Sequence, residues 1–74
     1  MIKIELCSAL AVMSGMRRAE LEIGESVSLE QLTARLGISA DAIGILIVNN
    51  KWASPDSVIR DGDSVQLYPV MDGG

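Results

Sequence analysis

Both ends of one short helix are written into residues 28–37, and the segments on either side of it alternate as strands. That combination restricts the chain to a two-layer α+β arrangement. Ser28 followed three residues later by Gln31 is a capping-box pattern, and Val27 and Leu32 hold the positions of a hydrophobic staple, so the helix begins at Leu29. Leu29, Leu32 and Leu36 fall on one face at spacings of three and four, which predicts a leucine stripe turned to a core. Gly37 suits the left-handed exit at the other end, with Ile38 placed to pack back.

Before the helix, Ile2, Ile4 and Leu6 alternate with Lys3 and Glu5, and Ala19, Leu21 and Ile23 alternate with Glu20 and Glu22. The two runs predict strands that pair as a hairpin-like unit. Periodicity does not decide between an irregular connection and a short helical turn for Ala9 to Arg18. After the helix, Gly44-Ile45-Leu46-Ile47-Val48 reads as a central strand buried on both faces. Asn49-Asn50-Lys51 supplies a turn into a brief strand around Trp52 and Ala53, and Val58-Ile59 reads as a small turn. Arg60-Asp61-Gly62-Asp63 then reverses the chain into a last strand, Val65 to Val70, with Pro69 near its end, where a missing ladder donor costs least. The order β-β-α-β-(β)-β predicts a mixed four- to five-stranded sheet with one main helix across one face.

Seventy-four residues make one domain, 1–74, with a tail at 71–74. The chain is 49% hydrophobic but has no Phe, one Trp and one Tyr, so the core must be aliphatic. A single Cys and no His exclude an intrachain disulfide framework, an all-cysteine metal site and the commonest acid/base group. Self-contained catalysis is therefore not expected. A net charge of −4, with only Arg17 and Arg18 adjoining, argues against nucleic acid as partner. No signal-peptide pattern follows Met1 and no apolar stretch reaches bilayer length, so a cytoplasmic protein with no membrane partner is expected.

Gly73 and Gly74 are the chemically distinctive residues. Without Cβ atoms, that segment can enter a narrow channel in another protein and bring a carboxylate to a nucleotide. A frayed end is the alternative reading of the same doublet. Asp61 and Asp63 suggest an acid/base or cation pair, but with no third ligand near in sequence, turn chemistry explains them better, and no metal site is expected. Cys7 shares the phase of Lys3 and Glu5; with no base nearby in sequence it is read as a bystander thiol. Trp52 and Tyr68 are the only aromatic residues, and either can anchor a partner or pack.

Three segments together carry a family resemblance: Val48-Asn49-Asn50-Lys51, Ile59-Arg60-Asp61-Gly62-Asp63, and Leu67-Tyr68-Pro69-Val70-Met71-Asp72-Gly73-Gly74. With them the chain resembles the ubiquitin-like β-grasp sulfur carriers, the family of the molybdopterin synthase small subunit and the thiamine-pathway sulfur carrier. The resemblance spans essentially the whole chain. It implies a β-grasp domain with a flexible tail and no catalytic machinery of its own. An E1-like adenylating enzyme that uses ATP and Mg²⁺ joins the Gly74 carboxylate to AMP, and a sulfur donor converts it to a thiocarboxylate. Gly74 is then the activated residue, Gly73 gives clearance behind it, and Met71, Asp72, Pro69 and Tyr68 meet the partner. No cofactor is bound by the chain itself. The Cys7 to Arg18 connection and the Tyr68-Pro69 ending look more like the molybdopterin synthase small subunit, which implies the synthase large subunit as a further partner. The chain departs from many such members in having Pro69-Val70 where they have two prolines. A thiamine-pathway carrier, a protein modifier forming isopeptide bonds and an interaction domain with an inert tail are the competing readings.

Overall fold

In the computed structural model, which describes residues 1–70, the alternation of Ile2, Ile4 and Leu6 becomes β1 (Ile2–Leu6), with those three side chains buried. The undecided segment after it is a helix, α1 (Ala9–Ser14), which buries Leu10. The chain returns as β2 (Arg18–Leu21), antiparallel to β1 with Ile4 opposite Ala19. It ends two residues before the alternation does.

A two-residue strand, β3 (Ser26–Val27), leads into α2 (Leu29–Leu36), which starts and stops where the sequence predicts. The Gln31 N–H donates to Ser28 Oγ at 3.1 Å and the Ser28 N–H donates to Gln31 Oε1 at 2.9 Å, so two of the helix's orphan donors are satisfied reciprocally. At the other end Gly37 adopts φ 76°. Its N–H donates to the Ala34 carbonyl and that of Ile38 to the Thr33 carbonyl, at 3.2 and 2.9 Å, the paired bonds of a Schellman motif.

A 3₁₀ turn (Ala40–Ala42) precedes β4 (Ile43–Val48), and Asn49 and Asn50, both at positive φ, turn it back into β5 (Lys51–Ala53). Then come β6 (Ile59–Arg60) and β7 (Ser64–Pro69). The main sheet has five strands in the order β2-β1-β7-β4-β5, with β1 and β7 parallel and the other neighbours antiparallel. Leu29 and Leu32 of α2 close over Ile2, Ile4, Leu46, Val65 and Leu67 on one face of that sheet. The expected mixed sheet crossed by one main helix is therefore observed. Among the described residues no helix is long and apolar enough to cross a membrane.

Two expectations need correction. The apolar run at 44–48 is not a central strand buried on both faces: β7 holds the middle, and of β4 only Leu46 is fully buried. A single helical layer covers one face, so Ile45 and Ile47 remain half-buried on the other. Val58-Ile59 is not merely a turn either. Ile59 is fully buried and pairs with Val27, as Arg60 does with Ser26, in a separate two-stranded sheet.

Candidate functional site

β7 is bonded on both sides, to β1 and to β4, and its last residues deliver the chain to the edge of the described structure at Val70. Its alternation puts Val65 and Leu67 into the core and leaves Gln66 and Tyr68 on the open face. Pro69 and Ile43 are the last pair of the β7–β4 ladder, and Val70, 53% exposed, donates its N–H to the Ala42 carbonyl at 3.0 Å. The β4 side of this pairing is irregular. Ile45 pairs with Tyr68 and Ile43 with Pro69, so Gly44 is an extra residue opposite two consecutive partners. A Cβ on Gly44 would lie 2.6 Å from the Pro69 carbonyl oxygen and 2.7 Å from Val70 Cα, so only glycine fits against the departing backbone.

The parallel pairing of β1 with β7 places Cys7 beside Tyr68, since Leu6 is opposite Leu67 and the Cys7 N–H donates to the Leu67 carbonyl at 3.0 Å. The Tyr68 pKa lies above its ordinary value. The main cause is the adjacent Cys7 side chain, followed by desolvation and the Glu5 carboxylate. Tyr68 is thus a neutral phenol near neutral pH rather than a base. Cys7 is half-buried on the face that its phase predicts.

The same open face is divided along one row. From the β5 edge, Trp52, Ile47, Gln66, Glu5 and Arg18 stand in register, apolar at one end and charged at the other. Gln66 Nε2 donates to Glu5 Oε1 at 2.9 Å, and Arg18 Nε lies 3.9 Å from the other oxygen of Glu5. Trp52 is 78% exposed, which leaves its indole free to be covered by a partner.

Asp61 and Asp63 do not form a reactive pair. Asp61 binds the ammonium group of Met1. Asp63 accepts the Arg60 N–H at 2.9 Å and the Asn49 side-chain N–H at 3.0 Å, bonds that lower its pKa. Turn chemistry accounts for Asp63, as expected, whereas the Asp61 carboxylate is taken up by an ion pair with the distant Met1. Among the described residues no group of three or more His, Cys, Asp and Glu is arranged to hold a metal ion.

Of the predicted site residues, Tyr68 and Pro69 adjoin at the end of β7, while Met71, Asp72, Gly73 and Gly74 lie outside the described residues. Sequence reasoning missed Ala42, Gly44 and the Cys7–Tyr68 contact. A glycine opening a β-branched run is a faint sign of a bulge. The contact depends on a parallel pairing between the two ends of the described chain, which no local pattern encodes.

A five-stranded mixed sheet with the last strand in the middle and one main helix across a single face defines a ubiquitin-like β-grasp protein. Solved structures share it over nearly the whole chain. The putative molybdopterin converting factor, subunit 1, from Pyrococcus furiosus matches with a TM-score of 0.70 at 18% identity, covering 95% of this chain and 97% of that one. SAMP1 from Haloferax volcanii matches with a TM-score of 0.72 at 21% identity, covering 99% and 98%. A second structure, of the small archaeal modifier protein 1 of H. volcanii, matches with a TM-score of 0.71 at 18% identity, covering 95% and 97%. These neighbours bear out the fold that the three sequence segments imply, the ubiquitin-like β-grasp. No protein-family model matches the chain, and no curated protein matches it in sequence.

Proposed function

We propose that this chain is a sulfur carrier whose Gly74 carboxylate is adenylated by an E1-like enzyme and converted to a thiocarboxylate, with molybdopterin synthesis as the receiving pathway. The observation that carries this reading is the position of β7, held on both flanks and handing the chain on at Val70, four residues before Gly74. A rigid central strand supplies reach, while Gly73 and Gly74 add no side chains that would bar a narrow channel. The adenylating enzyme supplies ATP, Mg²⁺ and the leaving group, because a free carboxylate is a poor electrophile. Tyr68 and Pro69 at the base, with Met71 and Asp72 beyond them, meet that enzyme and, later, a synthase large subunit. The likeness to the molybdopterin converting factor subunit supports the choice of pathway over thiamine synthesis. The whole cycle runs in the cytoplasm, and the chain contributes substrate and docking surface rather than catalysis.

The likeness to small archaeal modifier protein 1 favours a second reading, in which the same activated carboxylate acylates a lysine amine on another protein. Incubation with the adenylating enzyme of the source organism, ATP and sulfide, followed by intact mass measurement, separates the two. A carrier gains the mass difference between sulfur and oxygen at Gly74. A modifier instead appears as Gly-Gly remnants on target lysines in extracts. An unchanged mass in every pairing with adenylating enzymes from that organism overturns the carrier reading.

A further inference from the structure

Gly44 is exposed, lies within a strand and does not occupy a turn. Its absence of a side chain has one observable use. A Cβ there would be 2.6 Å from the Pro69 oxygen, 2.7 Å from Val70 Cα and 3.0 Å from the Pro69 carbonyl carbon. All three are backbone atoms, which cannot rotate away as a side-chain tip does. Two residues earlier, the Ala42 carbonyl receives the Val70 N–H at 3.0 Å. Between these contacts, Pro69 brings no N–H that the bulge would leave unpaired, and its φ is restrained by its ring. Three independent features therefore converge on the point where the chain leaves the sheet: a hydrogen bond, a close approach and a stiff residue.

We propose that the Ala42–Gly44 segment is a seat that sets the direction in which the chain departs at Val70, and that Gly44 is a positioning residue for delivering the Gly73–Gly74 segment to an adenylating enzyme. The second half of this statement rests on the carrier reading above. In the step concerned, a Gly74 carboxylate oxygen attacks the α-phosphorus of ATP. A carboxylate–phosphorus bond forms, the bond to the β-phosphate oxygen breaks, and pyrophosphate leaves with that electron pair. The carrier provides only one of the reacting atoms, so its part in the rate is the fraction of docked encounters in which the tail already points into the channel. A misdirected exit must be corrected at the expense of binding energy. The effect belongs in the KM for the carrier, because the adenylating chemistry is unchanged once the tail has entered.

The test uses Gly44→Ala and Gly44→Val in the full chain, with Gly24→Ala as control, since a Cβ on Gly24 meets nothing within 4 Å. Amide hydrogen exchange followed by NMR reports the seat: Val70 should exchange about tenfold faster in Gly44→Ala, the loss expected for one net hydrogen bond. The amides of Leu6 and Leu67 should keep their protection, which excludes general unfolding. ATP–pyrophosphate exchange with the adenylating enzyme of the source organism reports delivery. There the KM for the carrier should rise about tenfold in Gly44→Ala and further in Gly44→Val, with kcat preserved, as for a lost orientation effect. A merely structural role would lower protection throughout the sheet and leave the KM of the folded fraction unchanged. Should Gly44→Ala fail to fold, one glycine inserted between Val70 and Met71 alters the departure without touching the sheet, and it too should raise KM. Unchanged Val70 exchange overturns the seat. Faster exchange with unchanged KM, or full activity of the insertion variant, overturns the positioning role. If the wild-type chain supports no pyrophosphate exchange, the carrier reading and the positioning role fall together, whereas the Val70 result still decides the seat.

Discussion

Asn49 and Asp63 hold two turns together: the Asn49 amide donates to one carboxylate oxygen of Asp63 at 3.0 Å, and Asn49 Oδ1 accepts the Ser64 N–H at 2.9 Å. The other Asp63 oxygen takes the Arg60 N–H at 2.9 Å. One turn joins β4 to β5 and the other leads into β7, so the pair ties the entry of the middle strand to its neighbour. Asp63→Ala should destabilise the fold by about 1–2 kcal/mol in urea denaturation, the cost of stranding partly solvated partners.

The same carboxylate gives a signed pH dependence. Its folded-state pKa lies below the ordinary value of 3.8, so its stabilising contribution is complete above that value and is lost as pH falls through the folded one. Asp63→Asn cannot titrate. Its stability should therefore lie below that of the wild-type chain near neutral pH and converge on it as pH falls past 3.8 and through the lower folded-state value, as thermal unfolding at each pH would show.

Tyr68 gives a signal of the opposite sign. Its raised pKa means that its contact with Cys7 stabilises the fold below the ordinary value of 10.0 and ceases to do so as pH rises through the higher folded value. Cys7→Ala should lower the Tyr68 pKa toward its ordinary value. Ultraviolet titration reads this directly, because Tyr68 is the only tyrosine.

Ile59 and Val58 are neighbours with opposite fates, fully buried and 55% exposed. Ile59→Ala should cost about 2–5 kcal/mol, enough to unfold much of so small a domain, whereas Val58→Ala should stay within about 0.5 kcal/mol. Equal effects in chemical denaturation would contradict the burial assigned to this two-residue strand.

Trp52 carries the intrinsic fluorescence of the chain and is 78% exposed. Its emission should be that of a hydrated indole, readily quenched by iodide. Trp52→Ala should change stability by no more than about 0.5 kcal/mol. A blue shift on adding an adenylating enzyme would identify the open face as covered in that complex.

The α2 helix was legible because its instructions are local: Ser28, Gln31 and Gly37 satisfy the orphan groups at its ends within a few residues of themselves. The Asn49–Asn50 turn and the alternation of Val65 and Leu67 were readable for the same reason. What escaped was non-local. Ser26–Val27 and Ile59–Arg60 are each too short to show a period, and they become strands only by finding one another across more than thirty residues. The β-branched run of β4 looked doubly buried because residue type reports preference for strand, not how many layers cover it. At the candidate site, Tyr68 and Pro69 could be named from sequence, but the seat at Ala42 and Gly44 exists only once β4 and β7 are side by side.

The middle position of β7 also has a consequence for synthesis. While residues 64–69 are still unmade, β1 with β2 and β4 with β5 are two hairpins with no strand between them, each showing unpaired edge groups. No partial product can close the sheet, so the nascent chain stays open until nearly all of its described length has emerged, then gains β1, β4 and the core together. A ribosome stalled before Ser64 would therefore present a sticky, protease-sensitive intermediate rather than a smaller folded protein.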